Sequence, residues 1–164
     1  MNEYTFHSVT SENQQAAYSI FQKNQAYFAL TKETPSIEQL MRDMTVLPPS
    51  VAQEQKVFSI IYYDQKPIAI MDYLVDYPQE GTAYIGLLLV GERRKRHGQA
   101  IYQQVEQDWR IKGISLVSLA VIEENTAGRS FWESQGFKET RKAVTTVNDQ
   151  KVSVVCFEKK IRNS

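Results

Sequence analysis

Only one cysteine, Cys156, occurs in the 164-residue chain. No intrachain disulfide can form, so a disulfide-built secreted scaffold is excluded. Net charge is missing too, because 19 basic side chains balance 19 acidic ones. General binding to nucleic acid or a membrane surface needs a broad excess of positive charge, so neither is expected as a partner. No apolar run approaches the ~20 residues that cross a bilayer. Met1-Asn2-Glu3-Tyr4 has neither a basic n-region nor an apolar h-region, so no leader is expected and the location reads as cytoplasmic. The two histidines, His7 and His97, lie far apart and accompany that one cysteine, which leaves no metal-ligand cluster; no metal is expected. Neither a Gly-x-Ser-x-Gly nor a Ser-His-Asp pattern supports an acyl-enzyme route. Cys156 sits in an alternating apolar run and reads as a core residue. There is no internal repeat, and Pro48-Pro49 is too short for a linker, so residues 1–164 read as one domain.

What is present alternates strand and helix signals. Tyr4, Phe6 and Ser8 alternate with Thr5, His7 and Val9, as in an opening strand. Ser11 reads as the N-cap of a helix carrying Ala16, Ala17, Ile20 and Phe21. A second helix is expected from Ser36, with Ile37, Leu40, Met41 and Met44 on one face. Val57–Tyr63 and Ile68–Val75 flank the turn signal Asp64-Gln65-Lys66-Pro67, an antiparallel hairpin. Tyr84–Val90 is apolar at nearly every position, as in a central strand covered on both faces. Helix 98–111, with Ile101, Val105 and Trp109 four apart, leads to strand 115–122. A short helix from Asn125 is closed by Gly136, and Val144–Thr146 and Val152–Phe157 form a last hairpin around 147–150.

The chemistry concentrates in Leu87-Leu88-Leu89-Val90-Gly91-Glu92-Arg93-Arg94-Lys95-Arg96-His97-Gly98-Gln99-Ala100. A buried strand runs into a basic loop that opens directly into a helix. Unpaired N–H groups and the positive dipole end at a helix start hold phosphate well. Gly98 and Ala100 would let a pyrophosphate approach the backbone, and Arg93–Arg96 would add charge there. The same run also fits a solvated charged turn or a localisation signal, in which His97 would face solvent.

Lys95-Arg96-His97-Gly98-Gln99-Ala100 resembles the pyrophosphate-binding signature of the GNAT N-acetyltransferase superfamily, with Lys95 in place of the usual Gln or Arg. Downstream, Asn125-Thr126-Ala127-Gly128-Arg129-Ser130-Phe131-Trp132-Glu133-Ser134-Gln135-Gly136-Phe137 looks like the family's Asn-led helix ending in Gly-Phe. There Gly128 replaces Ala and Trp132 replaces Tyr. The resemblance covers about Tyr84–Phe137 and implies a mixed α/β fold. Its mostly antiparallel sheet would be splayed between two parallel strands and flanked by helices. It implies acetyl-CoA as cosubstrate, an amine acceptor, and pantetheine lying in the splay against the main chain of Leu88, Leu89 and Val90. The pyrophosphate would lie on Lys95, Arg96, His97, Gly98, Gln99 and Ala100, with Asn125 and Ser130 along the other side of the CoA arm. Asn125 also fits an ordinary N-cap. Family members are often dimers, so a homodimer is one assembly the resemblance allows.

The reaction implied is attack of an amine on a thioester carbonyl, which the Leu88 N–H would polarise. Glu123 with Glu124, or Asp72, are the candidate bases. The family's acid is a Tyr at the place of Trp132, and an indole N–H cannot serve. Tyr84 or Tyr102 would substitute, the thiolate would leave unaided, or the chain would be a non-catalytic acyl-CoA sensor. Tyr27, Phe28, Tyr73 and Tyr77 are candidates for an acceptor pocket.

Overall fold

The computed structural model describes residues 3–92, 96–147 and 149–161; Arg93, Arg94, Lys95 and Asn148 lie outside the described residues. The strands are β1 (Tyr4–Ser8), β2 (Lys56–Tyr63), β3 (Lys66–Val75), β4 (Thr82–Val90), β5 (Leu116–Ile122), β6 (Lys138–Val147) and β7 (Gln150–Lys160). They form a seven-stranded sheet in the order β1-β2-β3-β4-β5-β7-β6. Every neighbouring pair is antiparallel except β4 and β5, which run parallel.

The helices are α1 (Gln14–Gln22), α2 (Gln25–Leu30), α3 (Ile37–Thr45), α4 (His97–Ile111) and α5 (Thr126–Ser134). Alternation along each strand sends side chains to two separate cores. On one face Ile101, Val105 and Trp109 of α4 and Trp132 of α5 pack over Met71, Ile85, Leu119 and Phe157. On the other, Ile20, Phe21, Phe28 and Leu40 cover Phe58, Ile60, Ile70 and Leu89. Helices on both faces, with β4–α4–β5 as the parallel crossover at the centre, make the mixed α/β arrangement expected.

Several boundaries move. The first helix is capped by Asn13 and not Ser11, and even Asn13 spends its side chain elsewhere. Its Oδ1 accepts from the Thr10 N–H at 2.8 Å, and its Nδ2 donates to the Ser8 carbonyl at 3.0 Å. Ser36 caps α3 as expected, its Oγ accepting from Gln39 N–H at 3.0 Å, but Met41 is 51% exposed and only Leu40 of that stripe is fully buried. The β2–β3 turn needs only Asp64 and Gln65, both at positive φ (51° and 67°), the primed-turn conformation that suits sheet twist.

Candidate functional site

The central parallel pair is short. Registers run Thr82↔Leu116, Ala83↔Val117, Tyr84↔Ser118 and Ile85↔Leu119, and there they stop. Beyond that point β4 stays with β3 as far as Val90, while β5 stays with β7 as far as Ile122. The two strands therefore part into a cleft at the end where β4 leads towards α4. A bulge marks the fork: Asp72 pairs with Leu87 and Tyr73 with Ile85, so Gly86 is the extra, exposed residue.

Glycine leaves little spare room at the bulge. A Cβ at Gly86 would stand 3.2 Å from Asp72 Oδ2. The Asp72 carboxylate thus lies against the β4 backbone where the strands separate. Gly91 N–H donates to Ile68 O at 2.7 Å, on the β3 side. Antiparallel alternation then turns the Leu89 main chain to β3 and leaves Leu88 and Val90 facing the cleft. Of the three residues expected to meet pantetheine by main chain, Leu89 is spent on the sheet and its side chain is 4% exposed. Asn24, which the sequence reading passed over, holds the end of β4: its buried amide donates to Ile20 O at 2.8 Å and Val90 O at 3.2 Å.

At the start of α4, Arg96 is exposed and takes the left-handed conformation (φ 56°) without a side-chain cap. The first helical N–H groups have no intrahelical acceptor. Ala100 is the exception, because its N–H already donates to Arg96 O at 3.2 Å; it is withdrawn from the expected pyrophosphate donors. His97 corrects the reading of a solvent-facing loop residue. It is 6% exposed, its Nδ1 lies 2.7 Å from the Tyr4 hydroxyl, and the Tyr63 ring sits 5.1 Å away. The imidazole thereby ties edge strand β1 to the head of α4. Gly98 packs closely against α5, since a Cβ there would lie 3.3 Å from the Phe131 ring. Lys95 lies outside the described residues.

Asn125 caps α5, its Oδ1 accepting from Gly128 N–H at 2.9 Å. A Cβ on Gly128 would come within 2.6 Å of Asn125 Nδ2, so glycine here makes room for the capping amide. Ser130 is exposed on the same helix. Trp132 is core, edge-on to Tyr102 (5.5 Å), Phe137 (5.2 Å) and Phe131 (4.8 Å). Tyr102 is no free acid either. It is 1% exposed, donates to Glu106 Oε1 at 3.0 Å, and burial followed by Glu106 pushes its phenol far up.

Among the candidate catalytic groups the structure brings two to one face. Tyr84 lies between Ala83 and Ile85, and Asp72 between Met71 and Tyr73, all four of the α4-side core. Both side chains therefore point to the opposite, α1–α3 face. Burial, then Cys156 and Tyr77, raises the Tyr84 phenol, with Arg141 opposing; it stays protonated at neutral pH. Burial also raises the Asp72 carboxyl, offset in part by Lys56, whose Nζ is 3.4 Å from Asp72 Oδ1 and 3.0 Å from Val46 O. Glu123 lies past the end of β5 and pairs with Lys142 at 3.0 Å in an exposed position. The aromatic quartet is divided: Tyr77 stacks edge-on to Tyr84 (5.6 Å), Phe28 is core, and Tyr73 packs on Trp109 (5.0 Å) on the other face.

Sequence reading also missed an acidic neighbourhood around Asp72. The half-buried Tyr27 phenol is pushed up to about 12 by burial and by Glu33, Asp43 and Asp72. Asp43 is pushed up to about 6 by burial, Glu33 and Asp72, against the pull of Lys56 and Arg42. Glu33 accepts from the buried Gln39 amide. No single residue signals this, because the carboxylates come from the α2–α3 loop, α3 and β3.

Comparison with known proteins agrees with this geometry. The acetyltransferase (GNAT) family pattern matches residues 15–137. No curated protein matches the chain. An acetyltransferase from Thermus thermophilus is similar in structure, with a TM-score of 0.78 and 19% identity over 96% of this chain and 96% of that one. The ribosomal-protein-S18-alanine N-acetyltransferase from Escherichia coli gives 0.71 and 18% identity over 99% and 96% of the two chains. The PaiA N-acetyltransferase from Thermoplasma acidophilum, solved with coenzyme A, gives 0.68 and 17% identity over 96% and 99%.

Proposed function

We propose, on the premise that the chain belongs to the acetyltransferase (GNAT) family, that it moves the acetyl group of acetyl-CoA onto a primary amine by direct attack. Membership makes it an acyltransferase, and acetyl-CoA is the family's donor. The observation that carries the reading is the cleft beyond Ile85 and Leu119, which leads to the uncapped start of α4. An extended pantetheine arm fits between two strands whose edges are unpaired, as a strand would. The N–H groups of Arg96, His97, Gly98 and Gln99, with the Lys95 and Arg96 cations, would hold the pyrophosphate at the positive end of the helix. Leu88 and Val90 would meet pantetheine by main chain, and Asn125 and Ser130 would border the arm from α5. The whole chain would act as a single catalytic domain in the cytoplasm, alone or as a homodimer.

The acceptor arrives as an ammonium. With a pKa of ~10.4, only about one molecule in a thousand is neutral at pH 7.4, a cost on the order of 4 kcal/mol. Asp72, desolvated beside the Gly86 bulge, would take that proton. The free nitrogen attacks the thioester carbonyl, whose oxygen the Leu88 N–H stabilises as it gains charge. The C–N bond forms, the C–S bond breaks, and the thiolate takes a proton from Tyr84 or water. The acylated nitrogen sheds its extra proton to solvent. Tyr84 suits the acid role because its burial keeps the phenol protonated. Glu123, held by Lys142 past the β5 end, is the less favoured base.

Isothermal titration with acetyl-CoA, followed in the same sample by thiol release against an amine panel, tests this reading. Binding with amine-dependent thiol release is the expected result. Absence of acetyl-CoA binding would refute it.

A further inference from the structure

The connection from β4 into α4 ends on Arg96, a non-glycine residue in the left-handed conformation (φ 56°, ψ 26°). A residue bearing a Cβ adopts that conformation at a cost in free energy, and it persists where surrounding contacts fix it. Arg96 is exposed and makes no side-chain cap, so its neighbours must fix the turn. On one flank Gly98 lies close to α5, where a Cβ would come 3.3 Å from the Phe131 ring. On the other flank His97 is 6% exposed, and its Nδ1 lies 2.7 Å from the hydroxyl of Tyr4, 93 residues away in sequence.

Tyr4 is itself held. Antiparallel pairing of β1 with β2 sets it opposite Tyr63, and the two rings lie 4.8 Å apart. The imidazole sits against both, edge-on to Tyr4 at 5.7 Å and tilted against Tyr63 at 5.1 Å. Both tyrosines pack on the α4-side core, and β2 continues through β3 into β4. The head of α4 is therefore anchored to the same sheet that carries the cleft. Ring packing alone would fill this space. The hydrogen bond adds direction, because it fixes the rotation of the imidazole about its side-chain bonds and so constrains the backbone that carries it.

We propose that Tyr4 is a positioning residue for acetyl-CoA: through its hydrogen bond to His97 it holds the left-handed turn at Arg96, and so aims the N–H groups of His97, Gly98 and Gln99 at the pyrophosphate. The inference rests on the acetyl-CoA reading above and adds to it a residue of the edge strand that acts through another. Backbone donors hold an anion only while they converge on it at hydrogen-bond distance. Without the Tyr4 hydroxyl the turn relaxes towards negative φ, which rotates the N–H groups that follow it. The loss falls on cofactor affinity, because the position proposed for the thioester, at the Leu88 N–H, lies within β4 and away from this turn.

Calorimetric titration with acetyl-CoA compares the unaltered protein with Tyr4→Phe, which keeps the ring and its packing and removes only the hydroxyl. Kd is expected to rise about three- to tenfold, the scale of one hydrogen bond. The same comparison is then made in Arg96→Gly and in Arg96→Ala, both of which lack the guanidinium. Glycine takes the left-handed turn without steric cost and alanine does not. Tyr4→Phe should therefore raise Kd by a clearly smaller factor in the glycine background than in the alanine one, a split that a merely structural hydroxyl would not produce. Thermal unfolding of each variant checks that folded proteins are compared. A lower Tm with unchanged Kd would make the hydroxyl structural only and overturn the inference. An equal rise in both Arg96 backgrounds would also overturn it. If the unaltered protein binds no acetyl-CoA, the transferase reading fails and the inference fails with it, whereas binding that Tyr4→Phe leaves unchanged refutes the inference alone.

Discussion

Asp43→Asn is expected to make the protein more stable, and only above a certain pH. The carboxyl is raised from 3.8 to about 6 by burial, Glu33 and Asp72, against Lys56 and Arg42. An acid whose folded pKa lies above its unfolded value takes up a proton on folding between the two. Its charged form therefore costs stability as pH rises from about 4 to about 6, and the cost is constant above that. At about 1.36 kcal/mol per pKa unit the upper limit is roughly 3 kcal/mol. Asp43 is partly exposed, and solvent screening reduces this to on the order of 1 kcal/mol. Asparagine cannot ionise and escapes the cost. For a chain of this length 1 kcal/mol corresponds to roughly 2–4 °C in Tm. Thermal unfolding of both proteins should differ by about that much at pH 8, and the difference should vanish by pH 4. An equal gain at both pH values, or a loss at pH 8, would refute the reasoning; a loss would mean that Lys56 and Arg42 outweigh burial and the two carboxylates.

Tyr84→Phe should lower kcat by about ten- to a hundredfold with little change in acetyl-CoA affinity, and remove any alkaline limb of the pH–rate profile that reports the phenol. Stopped-flow thiol release across pH reads both. Gly128→Ala sets two effects of about 1 kcal/mol against each other: a better helix former, and loss of the Asn125 cap that a Cβ would displace. Chemical denaturation should show near-neutral stability, whereas calorimetry should show weaker acetyl-CoA binding. Asn24→Ala strands the Ile20 and Val90 carbonyls and should cost about 1–3 kcal/mol in urea unfolding, with weaker acetyl-CoA binding as the β4 end loosens.

What the sequence made legible was local. The β4–α4–β5–α5 core could be read because its strands are apolar runs, its helix repeats at four, and two motifs fall at its turns. His97 misled because its neighbours in sequence are basic, whereas its partner Tyr4 is 93 residues away. The helix α2 was missed because six residues between breaks at Asn24 and Thr31 carry too few turns for a periodicity. The first half of β6 was missed because Lys138, Glu139, Arg141 and Lys142 are exposed on an edge strand, where no buried face imposes alternation. The Gly86 bulge and the convergence of Asp43, Glu33 and Tyr27 on Asp72 arise from chain segments meeting in space, for which no local pattern exists.

The bulge at Gly86 has a consequence for the protein as a solute. Past Ile85 the chain keeps an unpaired strand edge in its interior, and an open edge is a template that a strand from another copy can zip onto. A bulge bends its strand and sharpens the local twist, so the raw edge is not the flat ribbon that self-association prefers. A substitution that pulled β4 straight, with a β-branched residue at 86, would then do more than crowd Asp72. It would convert the cleft into an adhesive edge, and loss of solubility would be its first symptom.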